Sequence, residues 1–554
     1  MNRVMRSTGI LAILSACCLG GATTLSADEP LRNVIDAALA AEWKTSEVQA
    51  AAPAGDAEFL RRVHLDLVGT IPTYEETREF LSDAAPDKRE KLVDRLLDDP
   101  RFGVYQAKVW DLVLFGRSVS NSRVRERDGF RNWMAKQFND NVPYDQWAQA
   151  ILKAEGNTVE DGPATFLLQY AGNDKSTAVA VSRLFMGMQL QCAECHDHPF
   201  EDFSQIDFYG MAAFYARLQP VSLGKKDNKD NYMVGERSTG DTLFAGKAID
   251  QKPGTKGEAV APKYLKGDEL DEPELPKDFK AEPRLADGKV PPAPHYSRKN
   301  ALAEWIANPE NIYFTEAIAN RIWSQFMGRG VVHPVDNLSD FNPPSHPDLW
   351  EVLPKELVAR KYDLKWLIRE IVGSKTYQLS AAGPVDRAMP RWFEQAKVRP
   401  LMAEELGDAL AVATRMYKRR EAAQDDKAKQ AVEGDFGRVR GNLVSYFGEP
   451  VNGVGDYQGN MFENLLFNNE VYLHRYLYST GTNQLLADLV ASEASPEEKV
   501  EEMFLSVLIR KPTAEETAKY VAYVGQEQDS KKQTALWGDA IWALLASSEF
   551  RFNH

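Results

Sequence analysis

Two cysteines two residues apart, with a histidine directly behind them, form the most chemically loaded feature of this chain: Cys192-Ala193-Glu194-Cys195-His196-Asp197-His198. In a Cys-x-x-Cys-His segment the thiols can add to the vinyl groups of one haem, and the adjacent imidazole then lies beneath the iron. On that reading Cys192 and Cys195 hold a haem c and His196 is the axial iron ligand. Three other chemistries fit the same residues and stay open. Zinc could take the thiolates of Cys192 and Cys195 with the imidazole of His198, as in a metal-dependent enzyme, although a structural zinc site ordinarily draws its second ligand pair from a distant segment. Cys-x-x-Cys is also the spacing of a redox-active or clamping disulfide, which would suit a structural or surface scaffold. The fourth reading is a pair of inert thiols.

The chain contains four cysteines, and Cys17 and Cys18 lie close to its start. Only Cys192 and Cys195 remain in the body, which rules out a disulfide framework. If haem binds, a second axial ligand must come from elsewhere or be missing. His198 is close in sequence, Met211 lies on the next helical segment, and His64, His333, His346 and His474 are long-range candidates. A five-coordinate iron would favour catalysis over electron transfer. Asp197 and Glu201 flank the segment and could orient an imidazole.

The first residues supply the export that covalent haem attachment requires. Arg3 and Arg6 precede a short apolar run from Ile10 to Leu14. The run is too short to span a bilayer and reads as an export signal over residues 1–27. Leu14-Ser15-Ala16-Cys17 also resembles a lipoprotein box, which would end the signal at residue 16 and place a lipid anchor on Cys17. No other stretch is long and apolar enough to be a transmembrane helix. The expected location is periplasmic or on the cell envelope. A formal net charge of −15 argues against a nucleic-acid partner.

The elements that must position the cysteines read as helices. Thr73-Tyr74-Glu75-Glu76, Ser495-Pro496-Glu497-Glu498 and Thr513-Ala514-Glu515-Glu516 are capping boxes. Leu92, Val93, Leu96 and Leu97 recur at helical spacing between Asp87 and Asp98. Further helical patterns cover 129–138, 144–153, 176–190 and 208–217. Pro72-Thr73-Tyr74-Glu75-Glu76-Thr77 is echoed by Pro512-Thr513-Ala514-Glu515-Glu516-Thr517, either through convergence on a good helix start or as a repeated helical hairpin. Residues 221–298 are rich in Lys, Asp, Gly and Pro and read as a long connection, irregular or with short strands. The expected fold is mainly α: a helical domain over 28–220, this connection, and a second helical domain over 299–554.

Together with further motifs, these residues make the chain resemble a known family. Leu60-Arg61-Arg62-Val63-His64-Leu65-Asp66-Leu67-Val68-Gly69, Phe130-Arg131-Asn132-Trp133 and Gln191-Cys192-Ala193-Glu194-Cys195-His196-Asp197-His198-Pro199-Phe200 resemble the planctomycete cytochrome-associated domain of the PSCyt type. Ala319-Asn320-Arg321-Ile322-Trp323, Pro344-Ser345-His346-Pro347, Ser374-Lys375-Thr376-Tyr377 and Arg399-Pro400-Leu401-Met402-Ala403-Glu404-Glu405 resemble its PSD-type partner. Both domains are of unknown function, and their cytochrome association is itself an inference from Cys-x-x-Cys-His. Many relatives carry a separate N-terminal cytochrome c domain, whereas Asp28 to Asp56 here contains no cysteine. The resemblance puts His198 and His346 on motif positions, while His64 stands where Tyr or Phe is expected. It makes His346 the leading long-range ligand and implies a site between the domains. The expected protein is an exported monohaem cytochrome-like redox protein with an unknown redox partner or substrate. No glycine-rich phosphate loop, nucleophile elbow or His-Glu-x-x-His helix offers a competing site.

Overall fold

Helix starts are set by the caps read from the sequence. The Thr73 hydroxyl accepts from Glu76 N at 3.2 Å while the Glu76 carboxylate accepts from Thr73 N at 2.7 Å. Thr513 and Glu516 repeat that exchange, and Ser495 with Glu498 does so with Pro496 in the first helical turn. Each exchange satisfies backbone donors that a helix N-terminus otherwise leaves open. The structure, a computed structural model, describes residues 29–117, 121–199, 201–245, 257–280, 285–383, 390–446, 465, 469–527 and 529–554. The export signal and Cys17 lie outside the described residues.

The internal echo extends to the backbone. Helices Asp56–Val68 and Tyr74–Ser82 form one hairpin, and Pro496–Val507 and Ala514–Val524 form another. In each loop the residue four before the capping threonine is left-handed: Gly69 at φ 69° and Ile509 at φ 63°. Glycine takes that conformation without strain, whereas a β-branched residue does not. The two hairpins also touch, with Pro496–Val507 lying against Tyr74–Ser82.

The described chain is mainly helical, with small two-stranded sheets only. Two helical domains are docked along one continuous apolar core that runs from Leu31 to Phe550. Tyr144 of the first domain stacks on Phe314 of the second, 4.7 Å between ring centroids. The opening helix, Leu31–Thr45, packs on second-domain helices Pro347–Ala359 and Leu364–Gly373. The Asp36 carboxylate there accepts from the backbone N–H groups of Lys375 and Thr376.

The connection is more ordered than its composition suggests. It opens as an antiparallel hairpin, Leu218–Lys226 with Lys229–Glu236, so its first strand begins ahead of the expected boundary at 221. Asp227 and Asn228 both have positive φ, as a two-residue hairpin turn requires. Further on, Lys263 N donates to Gly210 O, and Glu272 receives both Arg217 and Arg298. Arginines on either side of the connection therefore pin it to the body.

The deepest tie between the domains is ionic. Arg399 donates to Asp66 at 3.0 Å and to both oxygens of Glu405 at 2.7 and 2.8 Å. Tyr377 and Asn553 complete Asp66, and Tyr105 completes Glu405. The C-terminal strand Phe552–Asn553 pairs with Arg399–Pro400 and delivers Asn553 to this seam.

Candidate functional site

The cysteine segment hangs from helix Asp174–Met186, which ends at Gly187 in the left-handed conformation. Two ties hold that end against the second domain: Leu338 N donates to Gly187 O at 2.8 Å, and Arg183 pairs with Asp336. A Cβ on Gly187 would lie 2.6 Å from Leu338, so the close approach requires glycine. A short 3-10 turn, Gln191–Glu194, follows. Ala193 is its buried foot, and Cys192, Cys195 and His196 are all exposed.

The residues behind the turn fold back on themselves. The Asp197 carboxylate accepts from Gln205 N at 2.9 Å, at the start of helix Gln205–Ala213. His198 N donates to Phe203 O, and Glu201 N donates to His198 Nδ1 at 2.9 Å. A neutral His198 with its Nδ1 accepting carries its proton on Nε2, and burial lowers its pKa. Asp197 therefore serves a helix start through its side chain. Its backbone carbonyl meets His196 instead, 2.6 Å from Nδ1. That contact assigns the proton to Nδ1 and leaves the Nε2 lone pair of His196 for a ligand bond.

The other ligand candidates sit elsewhere. Met211 is fully buried in the core, on helix Gln205–Ala213. His346 is buried at the start of helix Pro347–Ala359, its ring against Phe393 and Trp392 and its Nδ1 3.0 Å from Ser345 Oγ. Its Nε2 is buried without a hydrogen-bond partner among the described residues. Neither residue has a described contact with the cysteines. His64 is a core histidine with Nδ1 on Leu60 O, and burial brings its pKa down to about 4. His474 stacks on Tyr478 in the C-terminal helices. Among the described residues, no three His, Cys, Asp or Glu side chains form a metal-holding group.

Sequence reasoning missed a cleft beside the motif. A cavity of 350 Å³ opens between the loop after the cysteines and the second domain, lined by Met188, Glu201, Lys266, Tyr313, Glu316 and Trp350 among others. Glu201 also reaches across to hydrogen-bond Ser339. Burial pushes the Glu316 carboxyl up to about 7. Glu316 occupies helix Ile312–Met327, the same helix as the Asn320-Arg321-Ile322-Trp323 motif. Nothing in its sequence neighbourhood marks it, because the burial that raises it comes from the packing of distant segments. Asn320 acts structurally: its amide exchanges hydrogen bonds with Val332 and so fixes the loop that forms the far wall.

Residues 34–220 match PSCyt2, a protein family of unknown function (DUF1549), and residues 298–444 match PSD1, a second family of unknown function (DUF1553). No curated protein and no solved structure matches the chain. The order of the two matches agrees with the motifs that carry the resemblance, the interval between them holds the pinned connection, and the second match ends at residue 444, ahead of the expected domain end at 554. The chain belongs to the proteins that pair a PSCyt2 domain with a PSD1 domain, both of unknown function.

Proposed function

We propose that this is an exported redox protein carrying one haem c, attached through Cys192 and Cys195 with His196 as the axial ligand. The observation behind the proposal is the exposed turn on which both thiols and the His196 ring lie together, with Nδ1 of His196 held by the Asp197 carbonyl. These residues fit the group: two accessible thiols, and one imidazole whose tautomer presents Nε2. When bound, the haem would supply one-electron chemistry. The protein's part is to fix the ligand through the Asp197 carbonyl, while the Asp197 carboxylate ties the segment to the start of helix Gln205–Ala213. Met211 and His346 are buried in side-chain packing, so the residues that would hold the group are Cys192, Cys195 and His196. The 350 Å³ cleft lined by Met188, Glu201 and Glu316 would add a carboxyl able to exchange a proton near neutral pH.

The test is expression of the full chain with its native signal in a host that matures c-type cytochromes. A pyridine haemochrome spectrum and haem staining after denaturation are expected, both abolished in the Cys192→Ser/Cys195→Ser double variant. His196→Ala should lose the native Soret position even if attachment survives. A colourless, unstained protein from that host overturns the proposal. Zinc analysis then tests the metal-enzyme reading through Cys192, Cys195 and His198, and thiol titration tests the disulfide clamp. Mass spectrometry of the mature N-terminus decides between cleavage near Ala27 and a lipid on Cys17.

A further inference from the structure

A second candidate site lies among the C-terminal helices, lined by no residue of the cysteine segment. Helices Val471–Leu477, Ala514–Val524 and Ser530–Leu545 enclose an open groove of 830 Å³. That volume is in the range of small-molecule sites, about 300–1,000 Å³. Neither family match reaches these helices, since the second ends at residue 444.

The groove is built from flat aromatic faces in fixed positions. Tyr478, just past the end of Val471–Leu477, and Tyr523, on Ala514–Val524, donate their phenols to the two oxygens of one carboxylate, Asp539, at 2.6 and 3.0 Å. Burial, together with the Asp539 contact, raises the Tyr478 phenol, so it stays protonated and keeps donating. The imidazole of His474 stacks on Tyr478 at 5.4 Å and 11°. Trp542 continues the aromatic surface, 6.3 Å from His474. Tyr478 also lies so close to Gly538 that a Cβ there would be 2.8 Å from its ring, which fixes the ring against backbone. These faces are held before any ligand arrives, and such preorganisation lowers the cost of binding.

The polar groups in the lining select among ligand classes. Asp539 is an acceptor, Lys519 a donor, and Gln526 both. Asp539 and Lys519 put both signs of charge in the lining, so neither an organic anion nor an organic cation meets a single-signed site. A purely apolar ligand would use none of these groups, and it would strip water from the remaining acceptor capacity of Asp539. The matching molecule is uncharged, carries groups that donate and accept, and has a flat C–H face to lay on tyrosine and tryptophan. A pyranose ring has all of these, and the volume exceeds that of one ring. We propose that this groove binds a neutral oligosaccharide, stacked on Trp542 and Tyr523 and hydrogen-bonded to Asp539, Lys519 and Gln526.

The test uses the full chain with a panel of neutral tetrasaccharides built from glucose, xylose, mannose or N-acetylglucosamine. An oligogalacturonate and choline serve as charged comparators. Calorimetry and saturation-transfer NMR read the binding. At least one neutral tetrasaccharide should bind, with its ring C–H protons receiving saturation. Trp542→Ala should weaken it about tenfold or more, as for an aromatic anchor. Tyr523→Phe keeps the ring and removes its tie to Asp539, so a smaller loss of roughly two- to fivefold is expected from one hydrogen bond. Circular dichroism and melting temperature verify folding, and Trp542→Phe replaces the alanine variant if that fails to fold. Binding of no neutral sugar, binding of the anion or cation alone, or sugar binding unaffected by both Trp542 and Tyr523 substitutions each overturns the proposal. The haem proposal stands or falls separately, because none of these measurements depends on the cysteines.

Discussion

The cysteine turn and the Arg399 seam are opposite solutions for polar groups. At the turn, Cys192, Cys195 and His196 are exposed, and main-chain contacts around Asp197 and His198 position them. At the seam, Asp66, Arg399 and Glu405 are almost fully buried, with side-chain exposures of 7, 7 and 1 %. Tyr105, Tyr377 and Asn553 add further hydrogen bonds to the carboxylates. A buried charge is tolerated only when paired and hydrogen-bonded. The seam therefore specifies how two domains and the C-terminus assemble. The turn leaves two thiols and an imidazole exposed to solvent.

The strongest way to break this contrast is at the seam. Arg399→Leu should strand two buried carboxylates and cost about 3–5 kcal/mol, read from urea unfolding. A loss below about 1 kcal/mol would show that the seam is not a structural tie. His64→Phe comes next and is pH-dependent. Burial holds the folded-state pKa of His64 at about 4, below the ordinary value for histidine. Protonation therefore favours the unfolded chain. The histidine's contribution is intact above about pH 6.5 and is lost as pH falls toward 4, by up to about 3 kcal/mol. Wild type and His64→Phe should diverge in that window, with the wild type losing more stability; parallel curves would contradict the assignment.

Gly69→Ala tests the hairpin shared by the two ends of the chain. Its φ of 69° and a Cβ position 2.1 Å from the Tyr105 ring predict a loss of about 1–3 kcal/mol from backbone strain alone, with the clash adding to it. An unchanged melting temperature would remove the steric argument. The smallest effect belongs to the turn. Cys192→Ser with Cys195→Ser should change the stability of the haem-free chain by no more than about 0.5 kcal/mol, as exposed positions do. A large loss there would make the cysteines structural and would favour the clamp over the haem reading.

Much of the local structure was legible in the sequence. The three capping boxes form, and Leu92, Val93, Leu96 and Leu97 face the core as their spacing requires. These features depend on neighbours within one or two helical turns. Boundaries slipped where tertiary contacts intervened. The pattern read over 208–217 is a helix at Gln205–Ala213 that gives way to the strand from Leu218. The connection kept its predicted short strands, but composition could not show that Arg217 and Arg298 clasp Glu272 from either side.

For the candidate site, the sequence by itself determined the chemistry available at Cys192, Cys195 and His196, because thiol and imidazole spacing is a covalent property of the chain. It also determined the pairing of two helical families, through motifs read in order. The tertiary structure alone decided which groups face solvent and which are buried. It sank Met211 and His346 into the core, turned the Asp197 carboxylate toward a helix start, and raised Glu316 in a cleft between domains. It also joined Asp66 to Arg399 across 333 positions and set Tyr478 and Tyr523 on one carboxylate. Burial and long-range pairing depend on how distant segments meet, and helical periodicity records only that a face is covered, not what covers it.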